Sequence, residues 1–330
     1  MKKIINAPAD YVNEMLTGLS AAHPALERVD GEPRAMRHTD APVSGKVGVV
    51  TGGGSGHLPL FTGYIGKGLL DACAIGGVFE GPTVDSCIAA IKAADSGKGV
   101  LCLYGNYGGD RMNFDLACEF LDGEIRTATV LGTDDIASAE PTERHKRRGV
   151  AGIVYAFKVA GAAASSGTAL DEVAAIAGRT VDRTRSIGVA LTGCRIPGSA
   201  AASFSIGPDE IEFGMGIHGE PGIWRDKLKP ADALADEMVD RILEEKPDDS
   251  GDRVSVLVNG LGATPLEELF ILYRRVDQRL RDAGFTIVRP LVGPFVTSME
   301  MAGASLSICF LDFEIEKALA APAECPFWRV

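Results

Sequence analysis

The fold is decided by the stretch Lys46-Val47-Gly48-Val49-Val50-Thr51-Gly52-Gly53-Gly54-Ser55-Gly56-His57. Its first half is a short run rich in β-branched residues, which predicts a buried strand. Its second half is a glycine-rich segment ending in a histidine, which predicts a loop directly after that strand. Because glycine carries no side chain, such a loop leaves its histidine few packing partners. A role in a ligand site is therefore favoured over an incidental one for His57.

The same arrangement recurs twice along the chain. The apolar run 99–104 leads into the glycine loop 105–110, and the run 253–258 leads into the loop 259–263. Strands that alternate with helices at this spacing predict a parallel sheet, and such sheets bind ligands at the carboxyl ends of their strands. Asp110 closes the second loop at a predicted helix N-cap. A capping role and a role in a site both remain open for it.

The chain is predicted to be an α/β protein of two α/β domains, 1–185 and 186–330, because 330 residues are many for a single core. The first domain is expected to hold a largely parallel sheet with flanking helices, and the second a mixed sheet with helices. A helix-like segment is expected to run from residue 58 to about 70. In the second domain the runs 203–206 and 210–217 are expected to form an antiparallel pair of strands.

Composition excludes several classes of protein. A net charge of −12 argues against nucleic acid or an anionic membrane surface as the main partner. No apolar run is long enough to cross a bilayer, and the basic N-terminus has no apolar region of a secretion signal behind it. The seven cysteines form no Cys-x-x-Cys pair, which favours reduced core thiols in the cytoplasm and no metal site.

A second histidine stands in the run Phe213-Gly214-Met215-Gly216-Ile217-His218-Gly219-Glu220-Pro221-Gly222. An apolar, strand-like approach delivers this imidazole into glycines and a proline. Histidine has an unperturbed pKa near 6.5, so a neutral, nucleophilic ring is available at pH 7. The alternative is a tight turn in which the histidine is incidental.

Common catalytic motifs are absent from the sequence. There is no G-x-x-x-x-G-K-[ST] nucleotide loop and no G-x-S-x-G nucleophile elbow. We therefore expect no cofactor on this chain. Two glycine-flanked histidines and an aspartate remain, all on predicted strand-end loops. A histidine nucleophile with an acid/base pair can react with a carbonyl group and with its neighbouring hydroxyl.

At these residues the sequence resembles the substrate-binding, K-type subunit of the dihydroxyacetone kinases. The resemblance covers nearly the whole chain and rests on motifs that recur in order: Gly52-Gly53-Gly54-Ser55-Gly56-His57, Gly63-Tyr64-Ile65-Gly66-Lys67-Gly68, Asn106-Tyr107-x-Gly-Asp110-x-x-Asn113-Phe114, Arg147-Arg148-Gly149, Gly214 to Gly222, Leu261-Gly262-x-Thr264-Pro265 and Thr297-Ser298.

The resemblance implies a covalent mode of substrate binding. His218 would add to the ketone carbonyl to give a hemiaminal, which selects ketones over polyols. Asp110 would be the base for the hydroxyl that is phosphorylated, and His57 its hydrogen-bonding acid/base partner. Gly54 would let the backbone approach the substrate. Ser55 and Gly105 complete the expected substrate-binding residues.

The resemblance also implies partners. Relatives of this kind assemble as homodimers, and their nucleotide, ATP or ADP with Mg²⁺, is bound by a separate L-type subunit. The phosphoryl group would come from ATP on an exchangeable partner, or from ADP that stays bound there and is recharged by a phosphotransferase-system protein. The sequence does not choose between these donors.

Three residues depart from the family pattern. Leu58 stands where the family usually has Glu, Gly105 where it usually has Lys, and Gly77 where it usually has an acidic residue. Lost side-chain volume beside a site makes room, so a ketose larger than dihydroxyacetone, such as erythrulose or apulose, is one hypothesis. Ordinary drift at positions behind the site is the other.

Two further classes of protein are considered. A ketose-sensing coactivator of transcription from the same family could keep His218 alone, so the presence of both His57 and Asp110 favours catalysis. A relative of fatty-acid-binding proteins is disfavoured, because such a protein needs no histidine nucleophile.

Overall fold

The structure, a computed structural model, describes residues 2–217 and 222–330. Contacts within the chain group it into two compact units. The first unit contains the residues up to Gly132 together with Tyr155–Arg179 and Lys317–Val330, and the second contains Thr133–Val154 and Thr180–Glu316. These bounds differ from a single division at residue 185, which stays a prediction about domains.

The elements of the first part of the chain alternate between strands and helices. In chain order they are a 3-10 turn at Pro8–Asp10, α1 (Tyr11–Ala22), β1 (Leu26–Val29), β2 (Glu32–His38), β3 (Gly48–Ser55), a 3-10 turn at Thr62–Tyr64, β4 (Ala72–Val78), α2 (Val84–Ala94), β5 (Val100–Gly105), α3 (Gly108–Phe120), β6 (Thr127–Gly132), a 3-10 segment at Pro141–Lys146, α4 (Ile153–Ser165) and α5 (Leu170–Asp182).

The first unit is built on a sheet with the strand order β1-β2-β4-β3-β5-β6. Strands β4, β3, β5 and β6 are parallel to one another, as the alternating pattern predicts. Their carboxyl ends therefore meet at one edge, and the segments after Ser55, Val78 and Gly105 leave the sheet side by side. Helices α2 and α3 contribute Ile91 and Phe114 to the core on one face of this sheet.

The antiparallel hairpin of β1 and β2 was not predicted. It joins the sheet through antiparallel pairing of β2 with β4. Its segments, Leu-Glu-Arg-Val and Glu-Pro-Arg-Ala-Met-Arg-His, are half-buried and rich in charge, so they lack the apolar run that marks the central strands.

The helix-like segment predicted for residues 58 to 70 is wrong. These residues form turns around the single 3-10 turn Thr62–Tyr64. Pro59 and three glycines, Gly63, Gly66 and Gly68, oppose a continuous helix because of missing donors and high backbone entropy.

The rest of the chain supplies the second sheet. Its elements are β7 (Thr184–Ala190), β8 (Glu210–Phe213), β9 (Trp224–Lys227), α6 (Ala231–Glu244), β10 (Arg253–Gly260), α7 (Leu266–Asp282), β11 (Thr286–Ile287), β12 (Leu291–Gly293), β13 (Gly303–Phe310), α8 (Phe313–Ala320), β14 (Glu324–Cys325) and β15 (Trp328–Arg329).

The second sheet is mixed, as predicted, with the order β11-β10-β13-β7-β8-β9. Its central pairs are antiparallel, whereas β11 and β12 run parallel to β10. Helices α6 and α7 pack together and bury an apolar face that includes Met238 and Val276 against the sheet. The two α/β domain architectures expected from the sequence are therefore present in the fold.

The strand pair predicted near His218 is partly wrong. Residues 203–206 form no strand, and the antiparallel partner of β8 is β9. Strand β8 ends at Phe213 because Gly214 takes a φ of 67°, which an extended strand does not accommodate.

The seven cysteines are all free, in agreement with the prediction that none forms a disulfide. Across the described residues, every helix is too short or too polar to cross a membrane. The cytoplasmic location stays a prediction.

Asn259 fastens the loop before β13 to the end of β10. Its side-chain oxygen accepts hydrogen bonds from Phe295 N (2.9 Å) and Val296 N (2.8 Å). Its amide nitrogen donates to Val296 O (2.7 Å) and to Ser305 Oγ (3.1 Å). The residue is fully buried, so these bonds have no water to replace them.

We predict that Asn259→Ala lowers the free energy of unfolding by about 3 kcal/mol, because it strands several buried backbone groups at about 1 kcal/mol or more each. Ser305→Ala is the matched control, since it removes one of the four bonds and should cost about 1 kcal/mol. Denaturant unfolding of both variants measures this. Equal losses for the two variants would contradict the role given to Asn259.

Candidate active site

The glycines of the first motif lie in a strand and not in a loop as predicted. Strand β3 continues through Gly52, Gly53 and Gly54 to Ser55. The property of glycine that matters here is its missing side chain, which allows other atoms to pack closely against the strand. Its ability to adopt unusual dihedral angles is not used at these positions. A Cβ on Gly52 would lie 2.9 Å from the ring of Phe114, and one on Gly53 would overlap the ring of Phe61.

A turn at the end of β4, Phe79–Gly81, packs against this strand; we name it the β4 turn. A Cβ on Gly54 would lie 2.8 Å from Glu80 N and 2.9 Å from Phe79 Cα. Phe79 N also donates to Ser55 O at 3.0 Å. Because real Cβ atoms do not approach so closely, only glycine at position 54 lets the turn lie here.

His57 is held by aromatic rings. It is 1% exposed. Its ring stacks on Phe79 with centroids 5.0 Å apart and meets Phe61 edge-on at 6.2 Å. The expectation that the glycines leave His57 few packing partners is therefore wrong, because the ring of Phe79 in the β4 turn packs against the imidazole. Its ring plane is fixed, and so the directions of its in-plane nitrogens are fixed as well.

Asp110 is not a helix cap. The N-cap of α3 is Tyr107, and Asp110 lies in the first turn of the helix, 4% exposed. The backbone of Gly81 lies against it, so that a Cβ there would be 2.8 Å from Asp110 Oδ1. That oxygen has no hydrogen-bond partner among the described residues. Burial raises the pKa of Asp110 to about 7, which poises it for proton transfer at neutral pH.

The other predicted binding residues of the first unit lie at the same edge of the sheet. Gly54 and Ser55 end β3, and Gly105 ends the neighbouring strand β5. Ser55 is 3% exposed, and within the described part of the chain its hydroxyl oxygen contacts no hydrogen-bond partner. A buried hydroxyl and a buried carboxyl with unmet hydrogen-bonding capacity beside a fixed imidazole suit a small polyhydroxy ligand.

The departures from the family pattern look different in three dimensions. The carboxylate of Glu80 occupies the space that a side chain at Gly77 would enter. An acidic group therefore still lies at this place, and the room gained at Gly77 is partly filled. Leu58 is half-buried beside His57. Gly105 is buried at the end of β5.

Sequence reasoning missed Phe61, Phe79 and Gly81 as neighbours of the site. Phe79 lies two residues after Gly77, one of the positions that depart from the family pattern. Pro82, directly after the β4 turn, accepts at its carbonyl oxygen a 2.7 Å hydrogen bond from the side chain of Asn113, a motif residue of α3. The one available signal was the Phe that ends the run Gly76-Gly77-Val78-Phe79. The packing of these rings depends on long-range contacts that a local pattern does not carry.

His218 lies outside the described residues. The structure describes the chain before it up to Ile217 and the chain after it from Gly222. The backbone N of Gly222 donates a hydrogen bond to Glu212 Oε1 at 3.0 Å. Within the described ranges, no group of three or more His, Cys, Asp and Glu side chains could hold a metal ion.

Comparison with known proteins bears on the whole chain. A family model described as the Dak1 domain matches residues 17–327. The dihydroxyacetone-binding subunit DhaK of a PTS-dependent dihydroxyacetone kinase from Listeria innocua is 43% identical, with 100% of both chains covered. A D-erythrulose kinase from Mycolicibacterium smegmatis is 42% identical across the whole chain, which spans 57% of that relative's length.

Solved structures agree with this result. The dihydroxyacetone kinase of C. freundii superposes with a TM-score of 0.92 at 33% identity, covering 99% of this chain and 60% of that one. A dihydroxyacetone kinase operon co-activator superposes with a TM-score of 0.89 at 32% identity, covering 96% and 98% of the two chains. Because the family model and the relatives match over nearly all of its length, this chain belongs to the Dak1 domain family.

Proposed function

We propose that this chain is the substrate-binding subunit of a two-component ketose kinase. It binds dihydroxyacetone or a related short ketose as a hemiaminal on His218, and Asp110 and His57 act on the hydroxyl that is phosphorylated. The phosphoryl group comes from a nucleotide on a separate L-type subunit. The observation that carries the proposal is the buried Asp110 carboxyl, with its pKa raised to about 7, in the first turn of α3, which follows the strand next to that of His57.

The first step joins the ketose to the protein. The lone pair of an unprotonated imidazole nitrogen of His218 forms a bond to the carbonyl carbon, and the π electrons of the C=O bond move to its oxygen. The proton on the other ring nitrogen is lost as the alkoxide gains one, which leaves a neutral hemiaminal. A protonated imidazole has no lone pair to offer, so the adduct requires the neutral ring.

The second step transfers the phosphoryl group. The carboxylate of Asp110 takes the proton of the terminal hydroxyl of the ketose. At the same time the hydroxyl oxygen forms a bond to the γ-phosphorus. The bond from that phosphorus to the leaving nucleoside diphosphate breaks. His57, with its ring plane fixed by Phe79, donates or accepts a hydrogen bond at the same hydroxyl. Transfer of this kind is catalysed mainly by positioning and charge stabilisation.

The partner's donor has two chemical forms. ATP on an exchangeable L-type subunit and ADP recharged by a phosphotransferase-system protein both deliver the same phosphoryl group. The Listeria relative belongs to a PTS-dependent dihydroxyacetone kinase, which supports the second form. Nucleotide and Mg²⁺ belong to the partner in either case, and a homodimer of this chain completes the proposed assembly.

We predict that His218→Ala and Asp110→Asn separate the two steps. His218→Ala abolishes the covalent adduct, which is followed by NMR of dihydroxyacetone labelled with ¹³C at the carbonyl. Asp110→Asn keeps the adduct but lowers phosphoryl transfer about 10²–10⁴-fold, because it removes the base. Transfer is measured with an L-type subunit and ATP, or with the phosphotransferase proteins.

An Asp110→Asn variant of wild-type activity would refute the role of Asp110. A wild-type chain that forms no adduct with any short ketose would refute the proposal as a whole. Asp115→Asn, on the exposed face of the same helix, is the matched control and should transfer at the wild-type rate.

Asp110→Asn should also unfold at higher denaturant concentration than the wild type above pH 7. The raised pKa of Asp110 means that its folded form resists ionisation while the unfolded form, near pKa 3.9, does not. Wild-type stability is therefore lost between about pH 4 and 7, and the amide avoids this loss. The difference grows to about 4 kcal/mol at most above pH 7 and vanishes near pH 4. A difference that did not change with pH would contradict the burial argument.

A ketose-sensing coactivator is the second candidate, supported by the match to the operon co-activator structure. A sensor needs the covalent histidine but no base. The poised Asp110 favours the kinase, and the Asp110→Asn assay discriminates the two candidates.

The substrate class is the finer part of the proposal. The D-erythrulose kinase relative supports a four-carbon ketose, and Gly105, which stands where the family usually has Lys, would leave room for the extra carbon. We predict a higher kcat/KM for erythrulose than for dihydroxyacetone. Gly105→Lys should lower that ratio about tenfold by refilling the space, whereas Gly108→Lys, at an exposed position with nothing within 4 Å, should leave it unchanged. A wild-type preference for dihydroxyacetone in a competition assay would overturn the prediction.

A further inference from the structure

The backbone that leads to His218 leaves its strand four residues early. Strand β8 ends at Phe213, and Gly214 N donates to Gly188 O at 2.9 Å. From Gly214 to Ile217 the chain belongs to no strand or helix. Ladder hydrogen bonds therefore do not fix the residue before His218, and the position of this segment depends on bonds from side chains.

One such bond is made at the last described residue. Ser298 Oγ donates to Ile217 O at 2.7 Å. Ser298 is fully buried and Ile217 is 4% exposed, so water does not compete for this carbonyl. The hydroxyl of Ser298 is thus directed at the backbone of the residue that directly precedes His218.

Ser298 is itself anchored to the second sheet. Its N donates to Leu261 O at 2.8 Å, and Leu261 N donates to Gly303 O at 3.1 Å. Leu261 directly follows β10, and Gly303 begins the neighbouring strand β13. A continuous series of hydrogen bonds therefore runs from the sheet through Ser298 to Ile217.

The start of the segment is held in a similar way. Arg148 Nη2 donates to Gly214 O at 2.7 Å. The guanidinium is oriented by the buried carboxylate of Asp135, to which Nε and Nη2 donate at 3.0 and 2.8 Å. Both ends of the segment are therefore fixed at their carbonyl oxygens.

We propose that Ser298 is a positioning residue for covalent ketose binding. By holding the carbonyl of Ile217, it fixes the backbone of the residue that directly precedes His218. This inference rests on the proposed function of His218. Loss of the bond leaves a buried acceptor unsatisfied, and the segment shifts to satisfy it.

The test is Ser298→Ala in the full-length chain, assayed with an L-type subunit and dihydroxyacetone. KM for the ketose should rise about tenfold, and the adduct seen by carbonyl-¹³C NMR should need correspondingly more ketose. At saturating ketose kcat should stay within about twofold, because His57 and Asp110 are untouched. A variant that was merely less well folded would instead lose kcat at an unchanged KM.

Cys194→Ala is the matched control. Its thiol lies 3.9 Å from Ser298 Oγ and is equally buried, so the change removes similar volume beside the same bond but keeps the hydroxyl. KM should remain that of the wild type. Should Ser298→Ala not fold, Ser298→Cys takes its place, since it keeps the volume with a weak donor and should raise KM in the same direction.

Wild-type KM in both Ser298 variants would overturn the inference while leaving the covalent mechanism intact. An equal rise in KM in Cys194→Ala would overturn it too, by assigning the effect to packing. A wild-type chain without an adduct would overturn the proposed function, and the inference with it. These results are distinguishable, because the wild-type spectrum alone decides the last of them.

Discussion

The site of the first unit depends on the absence of three Cβ atoms. Gly52, Gly53 and Gly54 let two phenylalanine rings and the β4 turn lie directly on the backbone of β3. A methyl group at any of these positions would meet an atom at less than 3 Å. The same turn carries the ring that stacks on His57 and the glycine that lies against Asp110. Close packing on one strand thus sets the positions of both functional groups.

This packing decides the electrostatics of Asp110. A carboxylate in the first turn of a helix is favoured by the dipole by about 0.3–1 kcal/mol. Burial acts in the opposite direction, and a rise in pKa from about 4 to about 7 corresponds to about 4 kcal/mol. Desolvation is the larger effect, and it dominates. An aspartate in the first turn of a helix, where the dipole favours the charged form, therefore has the proton affinity of a general base, because the β4 turn excludes water from it.

Sequence reasoning succeeded where a local pattern determines the structure. The apolar runs predict β5 and β10, and the strand-end rule places His57 and Asp110 shortly after two neighbouring parallel strands. It failed where contacts between distant residues decide. The charged hairpin of β1 and β2 takes its place from pairing with β4, and the glycines of β3 became a strand because distant rings cover them. The burial of Asp110 could not be predicted from the residues around it in the sequence, since the turn that covers it lies thirty residues earlier.

The two histidines are approached in different ways, which suits different chemistry. His57 is held through its ring faces by Phe79 and Phe61, so its nitrogens keep a fixed direction for hydrogen bonding. The segment before His218 is held through the carbonyls of Gly214 and Ile217, so these bonds use no imidazole atom. The carbonyl carbon of a ketone becomes tetrahedral when a nucleophile adds to it. The addition therefore needs space around the nucleophilic ring as well as a defined direction of approach. The bonds to Gly214 and Ile217 constrain the backbone that leads to His218. This difference in support is compatible with the roles proposed for the two residues, covalent binding for His218 and proton handling for His57.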